Sequence, residues 1–425
     1  MTHLEQDNLA PDARAGHPIR GEWRVPVNSD ATYANTLAVS WPAFLRDVLI
    51  CSLGAYGGPE AHMSVFLDQM VVKRKYLTEQ DLVELIALCS ILPGPTSTQT
   101  IVSIGYKMGG PVLAFFTMLV WALPVLVVMT VLSFLYQFLA AREISFEVLR
   151  FIGPMAVGFI ILAAYRIGRK VVVDGVTGIL MVTSAVVTYF IRAPWIFPVI
   201  LVAGGVVTIM LSRAEDIWKR VSLNPPWRYL AAFTFLALGG LVATALFQER
   251  LIQLAESFYR YGYLVFGGGQ VVVPVMHTEL VQIREYMSNQ EFLTGYGLVQ
   301  GLPGPMFSFA AYAGGMAARD GTPAYQIAGA IAGGVGIFLP GLLLIYFVYP
   351  VWERLKQIPA VKIALRGIGA VAGGLIAIAA VVLAESSGFE VANVVISVLT
   401  IVLLASRKVP APLIVVAALI AGFLV

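Results

Sequence analysis

Tyr56-Gly57-Gly58-Pro59 and, further on, Leu92-Pro93-Gly94-Pro95 return 210 residues later as Phe266-Gly267-Gly268-Gly269 and Leu302-Pro303-Gly304-Pro305. The register runs without a gap from 56–105 to 266–315. It holds thirteen identities in fifty positions, including Arg74/Arg284, Tyr76/Tyr286, Gln80/Gln290 and Gly105/Gly315. A match of that length is a duplication. Each copy places Gly/Pro breaks inside apolar segments, the pattern of secondary transporters that bind substrate where two repeats meet.

Lipid is the solvent this composition requires. Hydrophobic residues make up 58% of the chain and charged residues 12%, with a mean hydropathy of +0.82. Runs such as 111–140, 171–191 and 391–405 approach the roughly 20 helical residues that cross about 30 Å of hydrocarbon. They are continuous rather than alternating, which excludes a barrel. Residues 1–40 form a polar tail without the basic and apolar regions of a signal peptide, expected to be flexible or to lie on the surface. Cys51 and Cys89 fall in membrane segments, so no disulfide framework is implied, and the four histidines lack metal-ligand spacing. No metal or cofactor is expected. A net charge of +3 gives no reason to expect nucleic acid.

The fold class is therefore an all-α polytopic membrane protein. Spans are expected at 43–66, 79–108 (broken), 111–139, 146–167, 171–191 and 194–212, then a linking span at 229–248. The repeat follows at 256–277, 289–317 (broken), 323–349, 362–384, 390–405 and 409–425, thirteen in all. The domains are a tail (1–40), a first repeat (41–212), a linker with its span (213–250) and a second repeat (251–425). Six spans plus one invert the second repeat relative to the first. With each broken segment counted as a crossing, nineteen Lys/Arg lie with the N-terminus and nine opposite, whereas re-entry of the broken segments gives twelve against thirteen outside the tail, so the bias favours crossing and a cytoplasmic N-terminus. Lys73-Arg74-Lys75 then sits on the wrong side.

In Pro93-Gly94-Pro95-Thr96-Ser97-Thr98-Gln99 one helix stops and another starts at membrane depth. The free N–H groups and positive dipole end of the new helix suit an anion, and Thr96, Ser97, Thr98 and Gln99 add neutral donors. A proline kink satisfied by those hydroxyls is the alternative. Recurrence at Pro303-Gly304-Pro305 with Phe307 and Ser308 favours a substrate site. The Gly57-Gly58-Pro59 and Gly267-Gly268-Gly269-Gln270 clusters thin their helices so that backbone can approach a ligand or a neighbouring helix. Glu60 costs about 2.5–3.5 kcal/mol inside a span and so points to function. Gln270 occupies its place in the second copy, and Glu60 with His62 is the candidate proton-coupling pair, against a structural hydrogen-bonded pair. Arg46 is either an interfacial anchor or an attractor of anions.

These motifs resemble the chromate ion transporter family, in which two homologous domains each carry an aromatic-Gly-Gly motif followed by Pro-Gly-Pro. The likeness covers roughly residues 40–425, with Tyr56 standing where Phe is usual. The resemblance implies an inner-membrane protein that exports chromate, with sulfate as a structural analogue, driven by an ion or proton gradient and conferring chromate resistance. It leaves open the uptake of sulfate or another anion, a passive channel, and an intramembrane enzyme using Glu60 and His62. The expected partners are the oxyanion, the coupling ion and the bilayer, and a homodimer is compatible with the sequence.

Overall fold

A computed structural model describes residues 40–424 apart from 57, 142–145, 192, 194, 213–223, 265–271 and 356–357; the tail and the second Gly cluster fall outside the described residues. Within them the chain is helical, with no strand. The first half contains α1 (Trp41–Gly54), α2 (Pro59–Phe66, continued by a π-helical turn Leu67–Lys73), α3 (Glu79–Ile91), α4 (Thr96–Ala141), α5 (Ile152–Val171), α6 (Gly175–Phe190) and α7 (Ile196–Met210). After the linking helix α8 (Trp227–Leu246) come α9 (Arg250–Leu264), α10 (Val272–His277, continued by a π-helical turn Thr278–Ile283), α11 (Asn289–Gln300), α12 (Phe309–Ala317) and α13 (Pro323–Val348). The chain ends with α14 (Trp352–Leu355), α15 (Pro359–Ser387), α16 (Val391–Ala405) and α17 (Ala411–Leu424).

Local chemistry sets these boundaries twice over. Equivalent capping boxes, Thr78 with Asp81 and Ser288 with Glu291, satisfy the free N–H groups that start α3 and α11. The π-helical turns after α2 and α10 also recur at matching positions, and such turns collect at functional sites. Within α4, Gly109 and Gly110 leave helical geometry, so Thr96 to about residue 108 and Pro111 onward are two rods.

Among the described residues, five helices are long and apolar enough to cross a membrane: Thr96–Leu139, Glu147–Val171, Trp227–Leu246, Pro323–Val351 and Pro359–Ser387. Shorter apolar helices include Gly175–Phe190, Ile196–Met210, Val391–Ala405 and Ala411–Leu424. The protein is a multi-pass helical membrane protein. Its largest core gathers residues of α4, α5, α7, α9–α13 and α15, while α8 has no buried residue.

The segments expected at 43–66, 79–108, 256–277 and 289–317 do not run straight through. Each folds back on itself. Asp47, midway along α1, accepts hydrogen bonds from Gln69, Arg74 and Tyr76 late in the next leg, so the two legs are antiparallel. Gln253 on α9 likewise meets Arg284 and Tyr286. At the second break, Lys107 pairs with Asp81 and Cys89 lies 3.5 Å from Ser103, while in the other half Arg319 pairs with Glu291. The breaks are turns rather than kinks because glycine supplies the left-handed backbone, at Gly94 (φ +128°) and Gly304 (φ +94°).

The remaining helices form a body of their own. Helices α5 and α15, equivalent in the two halves, run antiparallel. A Cβ on Gly373 would lie 2.8 Å from Val171 at the end of α5, while Gly153 and Pro154 at its start share a cavity with Ser386 and Ser387 at the end of α15. Helix α16 runs parallel to α5, bonded by Ser397 to the Pro154 carbonyl and by Arg166 to the Leu404 carbonyl. Helix α6 runs parallel to α15 through Arg366–Asp174 and Ser184 to the Val371 carbonyl.

Candidate functional site

The first Pro-Gly-Pro turn delivers the start of α4 into the protein interior. Pro95 lies just before the helix and its carbonyl accepts the Gln99 N–H at 2.8 Å, which leaves the N–H groups of Thr96, Ser97 and Thr98 without intrahelical acceptors. Ser97, Thr98 and Gln99 are buried. Gln99 Nε2 donates to the Pro93 carbonyl at 2.8 Å and pins the turn, while its Oε1 makes no hydrogen bond within the protein. Trp121 Nε1 donates to Thr98 Oγ1 at 3.1 Å, so the Thr98 hydroxyl proton is free for an acceptor. The Trp121 ring stands edge-on to His62 and Phe66, with centroids 5.4 and 5.2 Å away, and Ser52 bonds its carbonyl.

One carbonyl joins the two halves here. Ala55 O, in the break between α1 and α2, accepts the Gly304 N–H of the second Pro-Gly-Pro turn at 2.8 Å. It also receives the His62 ring, whose other nitrogen, Nδ1, is buried without a partner in the protein.

The second helix start differs in chemistry. Met306–Ser308 form a 3-10 turn in which Ser308 N–H already bonds the Pro305 carbonyl, and Phe307 and Phe309 replace Ser97 and Gln99. Ser308 Oγ is buried and unpartnered within the protein. The two starts do not line one cavity. Pro95, Thr98 and Gln99 border a space of about 10 Å³ with Met118 and Phe338, and Met306, Phe307 and Phe309 border another of about 10 Å³ with Tyr296. Each has room for roughly one water.

Of the other expected site residues, Gly58 has φ +88° and ends the turn before α2. Pro59 and Glu60 begin α2, but their side chains lie outside what is described, as do Gly57 and the stretch Gly267, Gly268, Gly269 and Gln270. Arg46 is well exposed, 4.0 Å from Asp47. No group of three or more metal-ligating side chains occurs among the described residues.

Sequence reading missed the charged clamps at the hairpin bases. Asp47, fully buried, holds Gln69 (3.1 Å), Arg74 (2.9 Å) and Tyr76 (2.8 Å). In the second half the carboxylate moves to the opposite leg. Glu279 takes Ser257, Arg260 and Arg284, and Arg260 also pairs with Glu256. The Arg74/Arg284 and Tyr76/Tyr286 identities were the visible signal for these clamps.

A family model described as Chromate transporter matches residues 43–209 and again 252–423. The chain belongs to that family. It is 25% identical over 405 residues to the chromate transport protein of Cupriavidus metallidurans, covering 93% of this chain and 97% of that one. A chromate transport protein of Pseudomonas aeruginosa is 27% identical over 377 residues, covering 87% and 88% of the two chains. A probable chromate transport protein of Synechococcus elongatus is 26% identical over 376 residues, covering 87% and 92%. No solved structure matches the chain.

Proposed function

We propose that the protein is a secondary transporter of the inner membrane that exports chromate, and that the start of α4 receives the oxyanion. Chromate is a tetrahedral dianion. Three free N–H groups at a helix N-terminus, with the Ser97 and Thr98 hydroxyls, match its oxygens and act with the helix dipole. Neutral donors bind a dianion less tightly than guanidinium groups do, which suits a site that must also release it. The observation that carries the reading is the Gly304–Ala55 bond, which brings the breaks of the two halves to one point beside Thr98, Trp121 and His62. The second break, whose start borders a separate space, contributes the backbone bond that fixes Ala55 beside His62.

The layout we infer is a pair of inverted repeats (41–212 and 251–425, with the linker 213–250 between), each with two re-entrant hairpins and four crossings, plus the crossing of α8. The antiparallel course of α5 and α15 supports this. Assigning each connection to the side on which its flanking helices end puts five Lys/Arg of the described residues on the distal side: Arg150, Arg250, Arg260, Arg284 and Arg319. The other fourteen of the nineteen described fall on the proximal side. That split is steeper than nineteen to nine, and Lys73-Arg74-Lys75 joins the majority. The proximal side is then cytoplasmic. Glu60 and His62 would couple transport to protons, since a protonated His62 gains an N–H at its unpartnered Nδ1 just where the anion sits.

Oxyanion flux in inverted vesicles tests the function, comparing chromate, sulfate, molybdate and chloride with and without an imposed pH gradient. Gradient-driven chromate movement that outpaces chloride supports the proposal. Equal, gradient-independent movement of all four would make the protein a passive channel. For topology, a cysteine at Lys75 and one at Arg319 should label from opposite sides of the membrane, and labelling from one side would refute the inversion.

A further inference from the structure

Among the described residues the two bodies meet through α10 and α11, where Gly301 lies against Val415 of α17 and His277 and Thr278 share a space with Ala379 and Leu383 of α15. The hairpin body comprises α1–α4 and α8–α13, and the six-helix body comprises α5–α7 and α15–α17. On the distal side α11 packs against α5. Leu293 is 2% exposed and Ile152 0%, and a Cβ on Gly153 would lie 3.6 Å from the Leu293 side chain. This contact floors a polar cavity of about 500 Å³ that opens above it, lined also by Arg150, Gln290 and Ser386.

The corresponding parts on the proximal side are apart. Val83, the counterpart of Leu293, is 58% exposed, and Ala87, the counterpart of Gly297, is exposed as well. Across from them on α15, Ile368 and Gly369 stand where Ile152 and Gly153 stand on α5, yet both are half-exposed. A Cβ on Gly369 would meet nothing closer than Val171 at 3.8 Å. The exposed strip on α3 thus has a partner of known shape in the same chain, because its sister strip is already docked on the equivalent surface.

We propose that Val83 and Ala87 on α3 dock onto Ile368 and Gly369 on α15, and that this contact and the Leu293–Gly153 contact exclude one another. The inference rests on the inverted-repeat reading above. Each body is internally tied, the hairpin body by the Gly304–Ala55 bond and the six-helix body by close glycine packing such as Gly205 against Ile368. The hairpin body therefore moves as a unit against the six-helix body, sealing the distal side in the present conformation and the proximal side in the other. Access to the start of α4 alternates accordingly.

Disulfide trapping in proteoliposomes tests this. In a Cys51→Ala/Cys89→Ala background, Gly153→Cys/Leu293→Cys has the Cβ spacing of a disulfide, 3.6 Å against the usual 3.5–4.5 Å, and should cross-link at once. Val83→Cys/Gly369→Cys should cross-link more slowly, as the second conformation is visited. Each bridge should cut oxyanion flux at least tenfold, reversibly on reduction. A protein carrying all four cysteines should never show both bridges in one molecule when linked peptides are identified by mass spectrometry. Ala87→Trp lies on an exposed face where folding tolerates it, and should also stop flux by blocking the docking. Failure of the Val83/Gly369 pair to cross-link, both bridges in one molecule, or wild-type flux with Ala87→Trp would each overturn the proposal. The cross-linking readout needs no substrate, so exclusive bridges in a protein that does not move chromate would uphold the two-body motion and refute the substrate instead.

Discussion

Replacing Asp47 removes the clamp at the base of the first hairpin, and the cost follows from its three bonds. Hydrogen bonds to a charged group contribute about 1.5–3 kcal/mol each. Arg74 is 38% exposed and recovers water when released, so its share falls below about 1 kcal/mol. Gln69 is buried and Tyr76 half-buried, and both lose their acceptor outright. Asp47→Ala should therefore destabilise the protein by about 3–5 kcal/mol, the range for breaking a buried ionic cluster. Asp47→Asn keeps one acceptor oxygen and sheds the desolvation of the charge, so about 1–2 kcal/mol is expected. Ser257→Ala, at the same position of the second hairpin, leaves Glu279 with both arginines and should cost about 1.5 kcal/mol. Reversible unfolding in mixed detergent micelles, followed by Trp fluorescence, measures all three. An Asp47→Ala protein within about 0.5 kcal/mol of wild type, or an order in which Ser257→Ala is the worst, would refute the claim that the carboxylate holds the hairpin closed.

Ser97→Ala and Thr98→Ala should each weaken oxyanion binding by about 0.5–1.5 kcal/mol, a loss of roughly two- to tenfold, Ser97→Ala without changing the melting temperature and Thr98→Ala with a loss of about 1–3 kcal/mol in stability because it leaves the Trp121 Nε1–H unpaired; wild-type affinity in the double variant, by calorimetry or tryptophan quenching, would move the site elsewhere. Glu60→Gln gives the first half the residue type that the second half has at Gln270, and should leave folding intact while abolishing the response of flux to a pH gradient; an unchanged response assigns coupling to another group. Asp174, in the connection before α6, has its carboxyl held below the usual range by the Thr177 backbone N–H and hydroxyl, aided by Arg366. The stability it adds is present above its unfolded pKa and is lost as pH falls through the lower folded value. The melting-temperature gap between wild type and Asp174→Asn should therefore be full at neutral pH and close below the ordinary carboxylate range; a gap unchanged down to strongly acidic pH contradicts the assignment.

The duplication, the break positions and the helical class were all visible in the sequence, since repeats and Gly/Pro punctuation are local signals. The direction taken after each break was not. A kinked crossing and a turned-back hairpin share the same Gly-Pro chemistry, and what separates them is a contact across the base. Those contacts were hidden because the carboxylate sits on the first leg as Asp47 but on the second leg as Glu279, so position-by-position comparison pairs Asp47 with Ser257 and Gln69 with Glu279. The misplaced Lys73-Arg74-Lys75 cluster was the trace of that missed turn. At the site, Thr96–Gln99 was read as a donor set from its hydroxyls, whereas the aromatic, 3-10 start at Met306–Ser308 departs from a symmetric expectation that the shared Pro-Gly-Pro had encouraged.

The bond from Gly304 to Ala55 is made wholly of main-chain atoms. Such a joint is indifferent to which side chains flank it, provided the glycine turn survives. A gene that doubles inherits two equal copies, and any seam between them that depended on matched side chains would bind both copies to change together. A seam of peptide groups imposes no such tie. One copy was free to fill its helix start with hydroxyls and the other with aromatic rings, and the joint between the two breaks stayed the same.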